Sequence, residues 1–176
     1  MELSNREFWT AVHGMIFGAL FLLAFSGGLA GIYSLRSQWV SKDGLKERIT
    51  RLKWEFWLMA TAAIGTVFTG TYIVYPWYRA PAPEGADLSQ FPRNFLLSEP
   101  SLADWHRFGM EWKEHVAWIA PILAVAVAFI VHKYGPVLAD DPKLRRMVST
   151  LFILAFATAA IAGLLGALIT KAAPIL

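Results

Sequence analysis

Cysteine is missing from this 176-residue chain, and that absence removes several chemistries at once. Thiolate iron–sulfur clusters, thiolate zinc sites, covalently attached c-type haem and disulfide scaffolds all require it. Charge is also scarce: Asp, Glu, Lys and Arg make up 16% of the residues, against about a quarter in a soluble domain. No Walker loop, GxSxG, HExxH or dinucleotide-binding glycine pattern occurs, so the signatures of those catalytic classes are lacking. The apolar runs carry no acid pairs of the kind hydrolysis uses. A self-sufficient enzyme does not fit this composition. Nor does the formal charge of +3 point to nucleic acid, because the basic residues lie between apolar runs and form no single patch.

What is abundant is apolar. Hydrophobic residues make up 56% of the chain and mean hydropathy is +0.46, concentrated in four runs, the pattern of a polytopic membrane protein. The expected fold is all-α, one four-helix transmembrane bundle over residues 1–176, with spans at about 8–35, 54–75, 108–134 and 147–170 and an outer loop at about 76–101. The opening segment reads as a retained first span, since its apolar run is longer than a signal h-region and no basic stretch precedes it. Ser4 with Glu7 is a capping-box signal for the first helix, and Ser101 with Asp104 for the third. The third helix starts near Leu102, and Gly135-Pro136 is expected to end it. Its thirty-odd residues would reach about 50 Å, against roughly 30 Å of hydrocarbon, so its amphipathic opening stands at or above the membrane surface.

Ten of the 16 Lys and Arg residues lie in the connections after the first and third spans. The positive-inside rule places those connections in the cytoplasm. Both termini and the Pro- and aromatic-rich outer loop then face the periplasm, with the chain in a bacterial inner membrane. Small residues at four-residue spacing are candidate helix contacts: Gly14 and Gly18, Gly27 and Gly31, then Thr61, Gly65 and Thr69, then Ala155, Ala159, Gly163 and Ala167.

Four histidines remain, and imidazole inside a membrane is a functional hypothesis by default. His13 lies in the outer part of the first span. His115 sits at the outer mouth of the third, in the stretch WHRFGMEWKEH, with His106 above it. His132 is at the cytoplasmic end, where an interfacial role suffices. At about 100° per residue, His106 and His115 lie on opposite faces of one helix. The sensible pairing is therefore across helices, His13 with His115 or with His106 as substitute. Two such imidazoles hold a low-spin haem b in a bundle. Each ligand's second ring nitrogen needs an acceptor: Glu111 is placed to serve His115, and Thr10 or the Trp9 carbonyl to serve His13. Gly14 and Gly18 would give a porphyrin room, and Met15 and Met110 are the weaker axial alternatives. Pro121 can bend the third span just inside His115.

With these histidines at the outer ends of two of four spans, the chain resembles the small four-helix membrane cytochromes b. That resemblance implies one haem b near the periplasmic face. It also implies electron relay between a quinone pool and a periplasmic carrier such as a c-type cytochrome, within an assembly of other membrane subunits. The second and fourth spans lack histidine, unlike diheme relatives, so one haem is the most it implies. A cofactor-free scaffold subunit is the competing expectation, and a transporter or proton-path component the third.

Overall fold

The computed structural model describes residues 3–173. Four long helices run through it, Asn5–Tyr33, Lys42–Tyr78, Trp105–Leu138 and Pro142–Ala172, each long and apolar enough to cross a membrane. No strand occurs among the described residues. Two short connections close one end of the bundle. At the other end, residues 79–104 form the long loop, which carries a short helix, Pro92–Ser98.

Local chemistry accounts for most helix boundaries. The first helix opens on a capping box: the Glu7 N–H donates to Ser4 Oγ at 3.2 Å and the Ser4 N–H donates to Glu7 Oε2 at 2.7 Å. Ser41 Oγ caps the second helix by accepting from the Gly44 N–H, so that helix begins twelve residues before the expected start at Trp54. Its charged first turns remain helical because Ile49 and Leu52, on one face, are buried against the bundle. The expected Ser101 cap is replaced by backbone, with the Leu102 and Ala103 N–H groups donating to the Glu99 carbonyl. Gly135-Pro136 does not end the third helix. One non-helical residue, Tyr134 (φ −116°, ψ 15°), kinks it, and the helix continues to Leu138. Asp141 caps the fourth helix through the Lys143 and Leu144 N–H groups at 2.8 and 3.1 Å.

The first helix packs against the second and fourth, and so does the third, which leaves the first and third diagonal to each other. Backbone approach sets these contacts. A Cβ added at Gly31 would stand 2.5 Å from Leu52, and one at Gly65 would stand 2.9 Å from Phe17. The fourth helix departs from the expected small-residue stripe. Its fully buried face runs through Val148, Phe152, Ala155, Ala162 and Ile169, whereas Gly163 and Ala167 are exposed. That spacing of three, four and seven is the seam of near-parallel packing, which a four-residue stripe drifts away from. Large exposed apolar side chains such as Leu23, Leu58 and Leu164 cover the outside, as a lipid-facing surface requires.

At the short-loop end, Arg145 joins two helix ends. Its Nη1 donates to the carbonyls of Leu35, Leu138 and Ala139 at 3.1, 2.6 and 3.0 Å. A fixed positive charge there satisfies orphan carbonyls and faces the negative ends of two helix dipoles.

Candidate functional site

The bundle is tight at the short-loop end and looser at the other. No residue of Val12–Gly18, Gly70–Val74 or Glu111–Val116 is fully buried. Each of the first three helices also loosens its hydrogen bonding in this half. The N–H groups of Ala19, Tyr75 and Glu111 reach back five residues, to the carbonyls of Gly14, Gly70 and His106. Such π-type turns place an extra residue in the helix, re-aim the side chains that follow and recur at functional sites. Here they flank two of the four histidines.

His13 projects from the first helix onto the second. Its Nδ1 lies 2.7 Å from the Thr66 carbonyl. A carbonyl can only accept, so Nδ1 carries the proton and Nε2 keeps its lone pair. The ring lies flat on Gly70, where an added Cβ would stand 2.6 Å from Cε1. Gly70 is therefore glycine for want of space. Thr66 takes the role expected of Thr10 or the Trp9 carbonyl, and the Thr10 hydroxyl is buried without a partner.

His115 has the same local arrangement, with Nδ1 2.7 Å from the carbonyl of Glu111 one turn earlier. Glu111 thus serves His115 through its backbone, and its carboxylate is used elsewhere. The ring itself is exposed. Glu111 and Glu114 both reach Arg79, the residue that follows the second helix, while Lys113 reaches Gly166 on the fourth, where an added Cβ would stand 2.5 Å from Nζ. His115, about 100° past Glu114 and away from Lys113, lies on neither packed face.

His106 is buried, and both of its ring nitrogens are engaged. Arg93 Nε donates to Nε2 at 3.4 Å, so the neutral ring carries its proton on Nδ1, which donates to the Tyr78 oxygen at 2.9 Å. Tyr78 ends the second helix and Arg93 belongs to the loop helix, so this histidine pins the long loop to the bundle. His132 receives a 3.4 Å hydrogen bond from Trp57 Nε1 at the short-loop end.

Around His106 lies an ionic and aromatic cluster. Arg79 Nη2 donates to Glu111 at 2.8 Å and to both oxygens of Glu114 at 3.0 Å. The Tyr75 hydroxyl donates to Glu114 at 2.6 Å, and the Arg79 guanidinium stands 5.1 Å from the Tyr75 ring centroid. Burial works against the Arg79 charge, but the Glu114 hydrogen bond and carboxylate, with Tyr75 and Glu111, hold it above the ordinary arginine range. The cluster ties the end of the second helix to the opening of the third. Glu111 and Glu114 are thereby partnered with Arg79, and the Glu111 carboxylate is turned away from the role expected of it at His115.

Ligation of one haem iron by two imidazoles needs both Nε2 lone pairs aimed at one point. Taken singly, His13 and His115 suit the task, since each has Nδ1 held by a carbonyl and Nε2 free. As a pair they are not brought together: they project from diagonal helices, one inward and one outward. His106 has no free ring nitrogen to substitute. Gly14 is open, with nothing within 4 Å of an added Cβ, whereas a Cβ added at Gly18 would stand 3.4 Å from the His13 carbonyl oxygen. Met15 is exposed, and Met110 packs beside Ile169 and Ala173. No group of three or more His, Asp or Glu residues suited to a metal ion occurs among the described residues.

Sequence reasoning missed Thr66, Gly70, Tyr75, Tyr78, Arg79 and Arg93 as site residues. The YPWYR run offered one signal, a helix ending in two tyrosines and an arginine opposite an acidic helix opening. Comparison of the chain with family models, with curated proteins and with solved structures finds no match.

Proposed function

We propose that this chain is an integral subunit of a membrane electron-transfer assembly, that it offers imidazole ligands for a b-type haem at its long-loop end, and that it works between a quinone pool and a periplasmic carrier such as a c-type cytochrome. The Lys and Arg bias assigns the long-loop end and both termini to the periplasmic side of a bacterial inner membrane. One observation supports the reading above the others. His13 and His115 each donate Nδ1–H to a backbone carbonyl at 2.7 Å, which fixes the tautomer and orientation an axial ligand needs. Haem, when bound, supplies a reversible one-electron couple. The chain's own residues hold the rings (Thr66 and Glu111), give His13 room (Gly70) and clamp the outer opening of the third helix through Arg79. Because the two rings do not face each other, His13 and His115 are proposed singly, as half-sites.

A second reading is a cofactor-free scaffold subunit of a larger membrane complex. The outward His115 and the fully engaged His106 favour it.

The test is a dithionite-reduced minus oxidised spectrum of the purified full chain from haem-replete cells, with pyridine haemochrome quantification. His13→Ala, His115→Ala and His106→Ala are measured alongside. The electron-transfer reading expects a b-type α-band that His13→Ala abolishes and His106→Ala leaves in place. Folded, haem-replete protein without such a band would sink it and leave the scaffold.

A further inference from the structure

At the short-loop end, a cavity of about 690 Å³ opens between the end of the first helix and the start of the fourth. Its charged lining is Arg36, Arg145 and Arg146, opposed by one carboxylate, Asp140. Arg145, also on the cavity wall, spends Nη1 on three carbonyls. The Arg36 guanidinium lies 4.1 Å from the Trp39 ring centroid, which fixes a flexible cation in place. Arg146 is exposed and forms no ion pair among the described residues.

Tyr33, Ser37, Ser149 and Thr150 add hydroxyls to the lining, and two of these stand out. Thr50, Thr61, Thr66, Thr69 and Thr158 each return the hydroxyl to the carbonyl four residues back, as helical threonines do. Ser149 and Thr150, both on the cavity wall, make no such bond. Ser149 is only 8% exposed, and what is open of it lies on the cavity wall, where its hydroxyl makes no side-chain hydrogen bond. One turn further along that face of the fourth helix come Ile153 and Leu154, both exposed. A cationic cavity with free donors thus sits directly above apolar surface that belongs in hydrocarbon. A free anion would use only the first of these features, whereas a phospholipid uses both.

We propose that this cavity binds the phosphodiester headgroup of an anionic phospholipid, with Arg36, Arg146 and Ser149 as the recognising side chains and the acyl chains lying over Ile153 and Leu154. The test is native mass spectrometry of the detergent-solubilised full chain, titrated separately with phosphatidylglycerol, phosphatidylcholine and inorganic phosphate. One phosphatidylglycerol should be retained in preference to phosphatidylcholine. The Arg36→Gln/Arg146→Gln double variant should weaken that binding roughly thirtyfold, from the worth of two basic side chains beside an anionic headgroup. Arg51→Gln, a charge loss outside the cavity, should leave it unchanged. Equal retention of the two lipids would overturn the proposal, as would a preference that survives the double variant. Displacement of the lipid by millimolar phosphate would reassign the cavity to a free anion and overturn the lipid.

Discussion

The His13–Gly70 contact allows a quantitative test, because the three nearest atoms that an added Gly70 Cβ would meet outside its own helix backbone all belong to the His13 ring. In Gly70→Ala the new methyl would stand 2.6 Å from Cε1, 3.1 Å from Nδ1 and 3.3 Å from Nε2. Ordinary contact begins near about 3.5 Å, so the ring must retreat by roughly 1 Å. Retreat is away from the second helix, which also carries Thr66. The 2.7 Å bond to the Thr66 carbonyl then stretches beyond hydrogen-bond range. Overpacking costs about 1–3 kcal/mol, and the lost interhelical bond adds about 0.6–1.7 kcal/mol. Replacing a helical glycine by alanine returns about 1 kcal/mol. The net expectation is destabilisation by about 1–4 kcal/mol. In a His13→Ala background the clash disappears, and Gly70→Ala becomes neutral or stabilising by up to about 1 kcal/mol. A double-mutant cycle should therefore show coupling of about 2–5 kcal/mol, measured by SDS-driven unfolding in mixed micelles followed by circular dichroism. An equal cost of Gly70→Ala in both backgrounds would refute the reasoning.

Two further outcomes follow from the helix ends. Arg145→Leu strips the shared cap from two helix C-termini and should lower stability by about 2–3 kcal/mol in the same assay, with Arg145→Lys recovering part because it keeps the charge at both ends. The Asp141 carboxyl is held below its ordinary value of 3.8 by the Leu144 and Lys143 N–H groups. Its folded form therefore binds protons less readily than the unfolded chain. Its contribution is complete above that ordinary value and lost as pH falls through the depressed one. The stability gap between wild type and Asp141→Ala should stay constant from neutral pH to about 4 and close below it; a gap that widens in acid would show that the cap does not act through its carboxylate.

The architecture was largely legible in the sequence. Four apolar runs and the Ser4–Glu7 signal specify four long helices, and the structure has them. The boundaries that moved did so for tertiary reasons. Ile49 and Leu52 extend the second helix because they have a neighbour to bury against, and the third passes Gly135 because Ile49 fills the space an added Cβ would take. The candidate site was less legible. The histidines were identified, and of the two on the third helix His106 is buried and His115 exposed. Their partners were not identified, because hydrogen-bond acceptors such as the Thr66 carbonyl are backbone groups that no residue type advertises.

Sequence alone determined that this chain is helical and suited to a membrane, since hydropathy and caps act locally on each segment. The tertiary structure decided which helices are neighbours and which diagonal, and hence that Arg79 meets Glu111 and Glu114 while His13 and His115 stay apart. A helical pattern fixes how residues face relative to one another within one helix. It does not say what each face meets, and each five-residue-back turn shifts the faces that follow by about 100°.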